Sequence, residues 1–160
     1  MQRDTQLTAA RNHLITPAMK LVAKREIISA ESVREGVAAG RIVIPCNHHH
    51  AALDPIGIGR PLTIKINANI GNSALSSGLD EEIGKLCCAV RYGADTVMDL
   101  STGDRVNEIR AHLLTRSSVP LGTVPIYQAL NQVDNPMDIT ADLLLDVIRF
   151  QAEQGVDYMT

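Results

Sequence analysis

"LTIKINANIGNS", Leu62–Ser73, decides the fold of this chain. Its first nine residues read as a β-strand. Its end, "KINANIGNS" (Lys65–Ser73), places three asparagines and a glycine just where a buried strand stops. Asparagine is depleted in strands and favoured in turns, so amides here need a reason. Alternation along a strand puts Asn67 and Asn69 on one face. An amide donates and accepts at once, which suits the edge of a polar, uncharged heterocycle or ribose. The stretch therefore reads as the ligand-facing mouth of a barrel strand.

The pattern repeats downstream. A helix is expected from about residue 80 to 92, then the strand "DTVMDLS" (Asp95–Ser101) and a helix through "RVNEIRAHLLTR" (Arg105–Arg116). The strand "VPLGTVPIY" (Val119–Tyr127) follows, then a helix over 140–154 stopped by Gly155, and "VDYMT" (Val156–Thr160) opens a fourth strand. The second strand ends in Met98, Asp99, Ser101 and Thr102, and the third in Thr123, Tyr127 and Gln128. Strands recurring every ~30 residues with helices between them imply a parallel sheet with right-handed crossovers. Polar strand ends and the absence of a Gly-x-Gly-x-x-Gly or Walker motif favour a barrel over a doubly wound sheet. The expected fold is α/β: an N-terminal helical region and linker loop over residues 1–60, then the first half of a (β/α)8 TIM-type barrel over 61–160. A half-barrel leaves two sheet edges bare. The sequence is therefore expected to be the N-terminal part of a longer polypeptide, and to aggregate or dimerise when expressed alone.

Upstream, "ITPAMKLVAKREI" (Ile15–Ile27) carries Pro17 at a helix start and apolar residues at helical spacing. "SAESVREGVAAGR" (Ser29–Arg41) is a second helix, with Ser29 or Ser32 as cap and Gly40 as stop. "IVIP" is a short strand, and "CNHHHAALDPIGIGRP" (Cys46–Pro61) reads as loop or linker. Three successive histidines, His48, His49 and His50, suggest a metal site, but alternate residues of an extended loop diverge and no partner stands at ligand spacing. A polar loop or substrate lid is the preferred reading.

Composition removes other classes. The net charge of −3 and the absence of tryptophan argue against a nucleic-acid surface. No apolar run reaches the ~20 residues of a membrane span, and the N-terminus lacks a secretory apolar core. Cys46, Cys87 and Cys88 read as reduced thiols of a cytoplasmic protein, the latter two on the buried side of their helix. Arg105 and Arg110 lie near enough to the second strand to be weak phosphate candidates.

The strings "KINANIGNS", "RYGADTVMDLSTG", "VPLGTVPIYQAL" and "QAEQGVDYMT", with "ITPAMKLVAKRE" and "GRIVIPCNHH" upstream, closely resemble the phosphomethylpyrimidine synthase (thiamin pyrimidine synthase) family over essentially the whole chain. The resemblance implies a radical S-adenosylmethionine lyase. It would convert 5-aminoimidazole ribotide to 4-amino-5-hydroxymethyl-2-methylpyrimidine phosphate in thiamin biosynthesis. It implies a [4Fe-4S] cluster, S-adenosyl-L-methionine and zinc, none of whose ligands is in this chain, and a homodimer at full length. It also implies that Asn69, Met98 and Tyr127 contact the ribotide, with no metal ligand and no catalytic residue assigned here. The family shows "ANINHPE" where this chain has "CNHHHAALD". The compact N-terminus and "DPIGIG" look like the branch that includes 5-hydroxybenzimidazole synthase, which makes a cobamide lower base from the same ribotide. A non-catalytic, truncated ribotide-binding protein is the remaining alternative.

Overall fold

The helices begin where the sequence supplies caps. In the computed structural model, which describes residues 5–73 and 78–160, Thr5, Thr16 and Ser29 cap α1 (Gln6–Arg11), α2 (Pro17–Glu26) and α3 (Ala30–Ala38). Each side-chain oxygen accepts from a backbone N–H of the first turn, satisfying a donor that the helix cannot pair itself. Pro17 occupies the first turn of α2, where its missing N–H costs nothing. α1 was not foreseen from the sequence.

The chain divides into two compact units, Met1–Cys46 with Pro55–Lys65, and Asn47–Asp54 with Ile66–Thr160. In the first, Met19, Val22, Val33, Val37 and Ile42 form a core in which most side chains are fully buried. β1 (Ile42–Val43) pairs antiparallel with β2 (Ile58–Gly59), so part of the stretch read as linker is a strand. Arg34 donates to the Ala10 carbonyl and to Glu31, tying α3 to α1.

The second unit holds a four-stranded parallel sheet in the order β3 (Asn67–Ile70), β4 (Thr96–Asp99), β5 (Leu121–Thr123), β6 (Tyr158–Met159). α4 (Leu79–Arg91) joins β3 to β4, and α5 (Val106–Arg116) joins β4 to β5. α6 (Pro125–Leu130), a 3-10 turn (Pro136–Asp138) and α7 (Ala141–Gln154) join β5 to β6. Ile70, Val97, Leu121 and Val156 pack against Leu86, Ile109, Leu113 and Leu114 of the helices. Of the glycine/serine loop expected after β3, residues 74–77 lie outside the described residues.

Three local expectations need correction. β3 is shorter than "LTIKINANI": Thr63 and Lys65 bond to Glu26 of the first unit, leaving Ile64 89% exposed. β5 stops at Thr123 because Pro125, with its fixed φ, starts α6. Tyr127 and Gln128 are consequently helical rather than strand residues. Cys87 and Cys88 are exposed; α4 buries Glu82 and Leu86 instead, on the opposite helical face.

Candidate functional site at the strand ends

Register brings the polar strand residues into rows. Asn69 of β3 pairs with Met98 of β4, Met98 with Gly122 of β5, and Gly122 with Tyr158 of β6. Residues in one row of a parallel ladder share a face. This face is opposite the one that carries Ile70, Val97 and Leu121 into the helix-packed core. Asn67 Nδ2 donates to Asn69 Oδ1 at 2.8 Å, as expected for neighbours on one face. Thr96 Oγ1 donates to Asn67 Oδ1 at 2.9 Å, and the Tyr158 hydroxyl donates to the same oxygen at 3.0 Å. Burial raises the Tyr158 pKa and keeps the phenol protonated for this donation. Gly122 is required by the packing: any Cβ there would collide with the Tyr158 ring.

The structure thus brings Asn69 and Met98 together and places Tyr127 elsewhere, in the first turn of α6 and 38% exposed. Tyr158 was legible only as part of a strand. Its reach across β5 and β4 to Asn67 passes over the glycine of β5, Gly122.

Behind the strand ends lies a buried polar network. Asp99 ends β4, and its Oδ1 accepts from the backbone N–H and hydroxyl of Ser101. Its Oδ2 has no hydrogen-bond donor among the described residues and faces Arg110 Nε, likewise unbonded, at 3.7 Å. Arg110 donates through Nη1 to Asn107 and Gln154 and through Nη2 to Gln128. Gln128 also accepts from Gln151, which accepts from Thr123 at the end of β5. Burial raises the Asp99 pKa; Ser101 and Arg110 pull against that rise, while nearby Glu82 adds to it. Burial lowers the Arg110 pKa, opposed by Asp99. Arg110 is 2% exposed and engaged with these partners, whereas Arg105 is surface-exposed and paired with Glu108. Neither arrangement is that of an open phosphate cradle.

The histidine run resolves into two roles. His48 and His49 are exposed, their rings 3.9 Å apart. The His50 side chain is fully buried. Its Nδ1 donates to Asp157 Oδ2 at 2.7 Å and its Nε2 to the Ser117 carbonyl at 2.9 Å. Both ring nitrogens meet acceptors, so the geometry suits the imidazolium. Burial pulls the His50 pKa down, but the Asp157 carboxylate and the carbonyls outweigh it and the net direction is upward. Asp157 also accepts from the backbone N–H groups of Asn47 and Leu121. The polar-loop reading therefore holds for His48 and His49, while His50 anchors its loop to β5 and β6.

Among the described residues no three His, Cys, Asp or Glu side chains are grouped to hold a metal ion. Cys46 is half-buried against the first core, while Cys87 and Cys88 point outward from adjacent positions of one helix. These thiols do not fit a cluster, and no chemical step is assigned to them. No helix of the described residues is long and apolar enough to cross a membrane.

Comparison with known proteins meets this geometry. Residues 5–160 match the radical SAM ThiC family. The chain is 57% identical over 157 residues to a phosphomethylpyrimidine synthase of Halobacterium salinarum, covering 98% of this chain and 33% of that protein. It is 58% identical over 156 residues to the phosphomethylpyrimidine synthase of Natronomonas pharaonis, with 98% and 33% covered. Against that of Haloarcula marismortui it is 55% identical, with 98% and 32% covered. The chain therefore spans about a third of the length of these curated relatives. Radical SAM membership implies a [4Fe-4S] cluster and S-adenosylmethionine as cofactors of the family. With its whole described length matched, this chain belongs to the radical SAM ThiC family.

Proposed function

We propose that this chain forms the ribotide-binding strands of a phosphomethylpyrimidine synthase. The enzyme converts 5-aminoimidazole ribotide to 4-amino-5-hydroxymethyl-2-methylpyrimidine phosphate. The observation that carries the reading is the row Asn69–Met98–Gly122–Tyr158 at the ends of parallel strands, in a chain 55–58% identical to enzymes of that name. The sequential order β3-β4-β5-β6 has no reversal, as a (β/α)8 barrel requires and a doubly wound sheet does not.

In this reading Asn69 presents an amide to the heterocycle edge, Met98 supplies an adaptable apolar contact, and Tyr127 reaches the ribotide from α6. The cluster and S-adenosylmethionine supply the radical chemistry when bound. Their ligands, and those of zinc, come from polypeptide outside this chain, in a cytoplasmic homodimer. What this chain's residues do is bind and orient the ribotide and keep its ring shielded.

The test uses the complete polypeptide that carries this chain, titrated with 5-aminoimidazole ribotide. Asn69→Ala is expected to weaken binding while leaving the cluster absorbance unchanged; wild-type affinity would remove Asn69 from the site. Chromatography of the reaction products then separates the possibilities. The pyrimidine phosphate supports the proposal, 5-hydroxybenzimidazole reassigns the enzyme to the cobamide branch, and ribotide binding without turnover identifies a binding protein.

A further inference from the structure

We propose that Asp99, Ser101 and Arg110 are positioning residues that hold the ligand-contacting segments in one frame from behind the sheet. The inference rests on the reading of Asn69, Met98 and Tyr127 as ribotide contacts. None of the three proposed residues belongs to the row that Asn69 and Met98 share: Asp99 is on the helix-facing side of β4, and Arg110 is on α5.

The connections are continuous. The backbone N–H of Asn72, three residues after Asn69, donates to Ser101 Oγ at 3.1 Å, and the Ser101 hydroxyl donates to Asp99. Thr102 N–H donates to the Asn72 carbonyl, and Asn72 Nδ2 to the Asp104 carbonyl, so the segments after β3 and β4 are laced together. Their approach is close enough that a Cβ at Gly71, which has φ +150°, would lie 2.7 Å from Ser101 N. Asp99 directly follows Met98. Arg110 extends the frame to α6, because Gln128, which accepts from its Nη2, directly follows Tyr127. One buried guanidinium thus stands beside the carboxylate behind Asn69 and Met98 and bonds the neighbour of Tyr127.

The pair is also incomplete. Asp99 Oδ2 and Arg110 Nε are both buried and, among the described residues, without a hydrogen bond, 3.7 Å apart. Buried polar atoms are seldom left without a partner.

The test measures 5-aminoimidazole ribotide affinity by calorimetry, in the complete polypeptide carrying this chain. The variants are Ser101→Ala, Arg110→Lys, Asn69→Ala and the double variant Ser101→Ala with Asn69→Ala. Ser101→Ala removes the relay without burying a new charge, so it decides the matter if Arg110→Lys does not fold. Ser101→Ala is expected to weaken binding by about fivefold to tenfold, the scale of one lost hydrogen bond, and Arg110→Lys similarly. Because Ser101 acts through the Asn69 segment, the double variant should bind about as weakly as Asn69→Ala alone. Wild-type affinity in Ser101→Ala, or losses that multiply fully in the double variant, overturn the positioning role. If Asn69→Ala itself binds like wild type, the contact reading fails first and takes this inference with it.

Discussion

His50 with Asp157 and Asp99 with Arg110 are buried charged pairs at opposite ends of the same sheet, and they are built differently. At the entry to β5 and β6, Asp157 accepts from His50, Asn47 and Leu121, while both nitrogens of His50 are bonded. At the exit of β4, Asp99 and Arg110 each leave one buried polar atom without a hydrogen bond among the described residues, 3.7 Å apart. The entry pair is closed in the manner of a structural anchor. The exit pair is open, at the end where barrel folds gather their chemistry. On the proposed reading, stability and ligand positioning are divided between two ends of one set of strands.

The largest effect is expected from breaking the closed pair. His50→Ala leaves the Asp157 carboxylate buried without its cation, which costs about 3–5 kcal/mol. Urea unfolding of the complete polypeptide, or of whatever domain unfolds cooperatively, should show it as a fall in midpoint. A loss below about 1 kcal/mol would mean that the His50 loop contributes little, and the contrast between the two ends would vanish.

A smaller loss is expected at the open pair. Asp99→Asn keeps the Ser101 contact, and among the described residues Asp99 Oδ2 has no hydrogen bond to lose. Arg110 retains its bonds to Asn107, Gln128 and Gln154. The expected cost is about 1–3 kcal/mol, the range for one poorly satisfied buried polar group. If Asp99→Asn costs as much as His50→Ala, the exit pair is an anchor too.

Titration sharpens the same contrast. The folded pKa of His50 is raised above its ordinary ~6.5, so the fold binds that proton more tightly than the unfolded chain does. The stability it contributes is fully present below about pH 6.5 and is lost as pH rises through the raised value. Unfolding midpoints taken from pH 6 upward (~0.5-unit steps) should fall over that window, and the fall should be reduced in His50→Gln, which cannot titrate. Asp99 is also raised and carries the same sign: its contribution declines as pH climbs from ~3.9 through its folded value. An equal fall in His50→Gln would assign the upper window to another group.

Local chemistry was legible in the sequence where one residue suffices. Pro17 marked a helix start, Ser29 stood as one of two cap candidates, Gly155 marked a helix end, and "NAN" set two amides on one face of β3. The parallel sheet followed from the recurrence of strands and helices. The clamps were not legible, because their partners are far apart in the chain: His50 and Asp157 are separated by 107 residues, Asn67 and Tyr158 by 91. A run of three histidines looks like a surface loop until the burial of one of them is known. Pro125 misled in the opposite way. Inside the expected strand "VPLGTVPIY" it opens a helix, which moves Tyr127 out of the row shared by Asn69 and Met98.

The smallest stability effect is expected at the residue assigned the most functional weight. Asn69 is exposed, and among the described residues its Oδ1 accepts only from Asn67, itself exposed, so water replaces the bond once the side chain is cut. Asn69→Ala should shift unfolding by no more than about 0.5 kcal/mol, as for surface substitutions away from special features. Alanine leaves β3 its backbone pairing with β4, so the register that sets Met98 should persist. A variant that melts like wild type and yet loses ribotide affinity would separate the two ends of the sheet cleanly. A destabilisation of several kcal/mol would instead make Asn69 part of the scaffold, and the open face of the sheet would lose its distinction from the packed one.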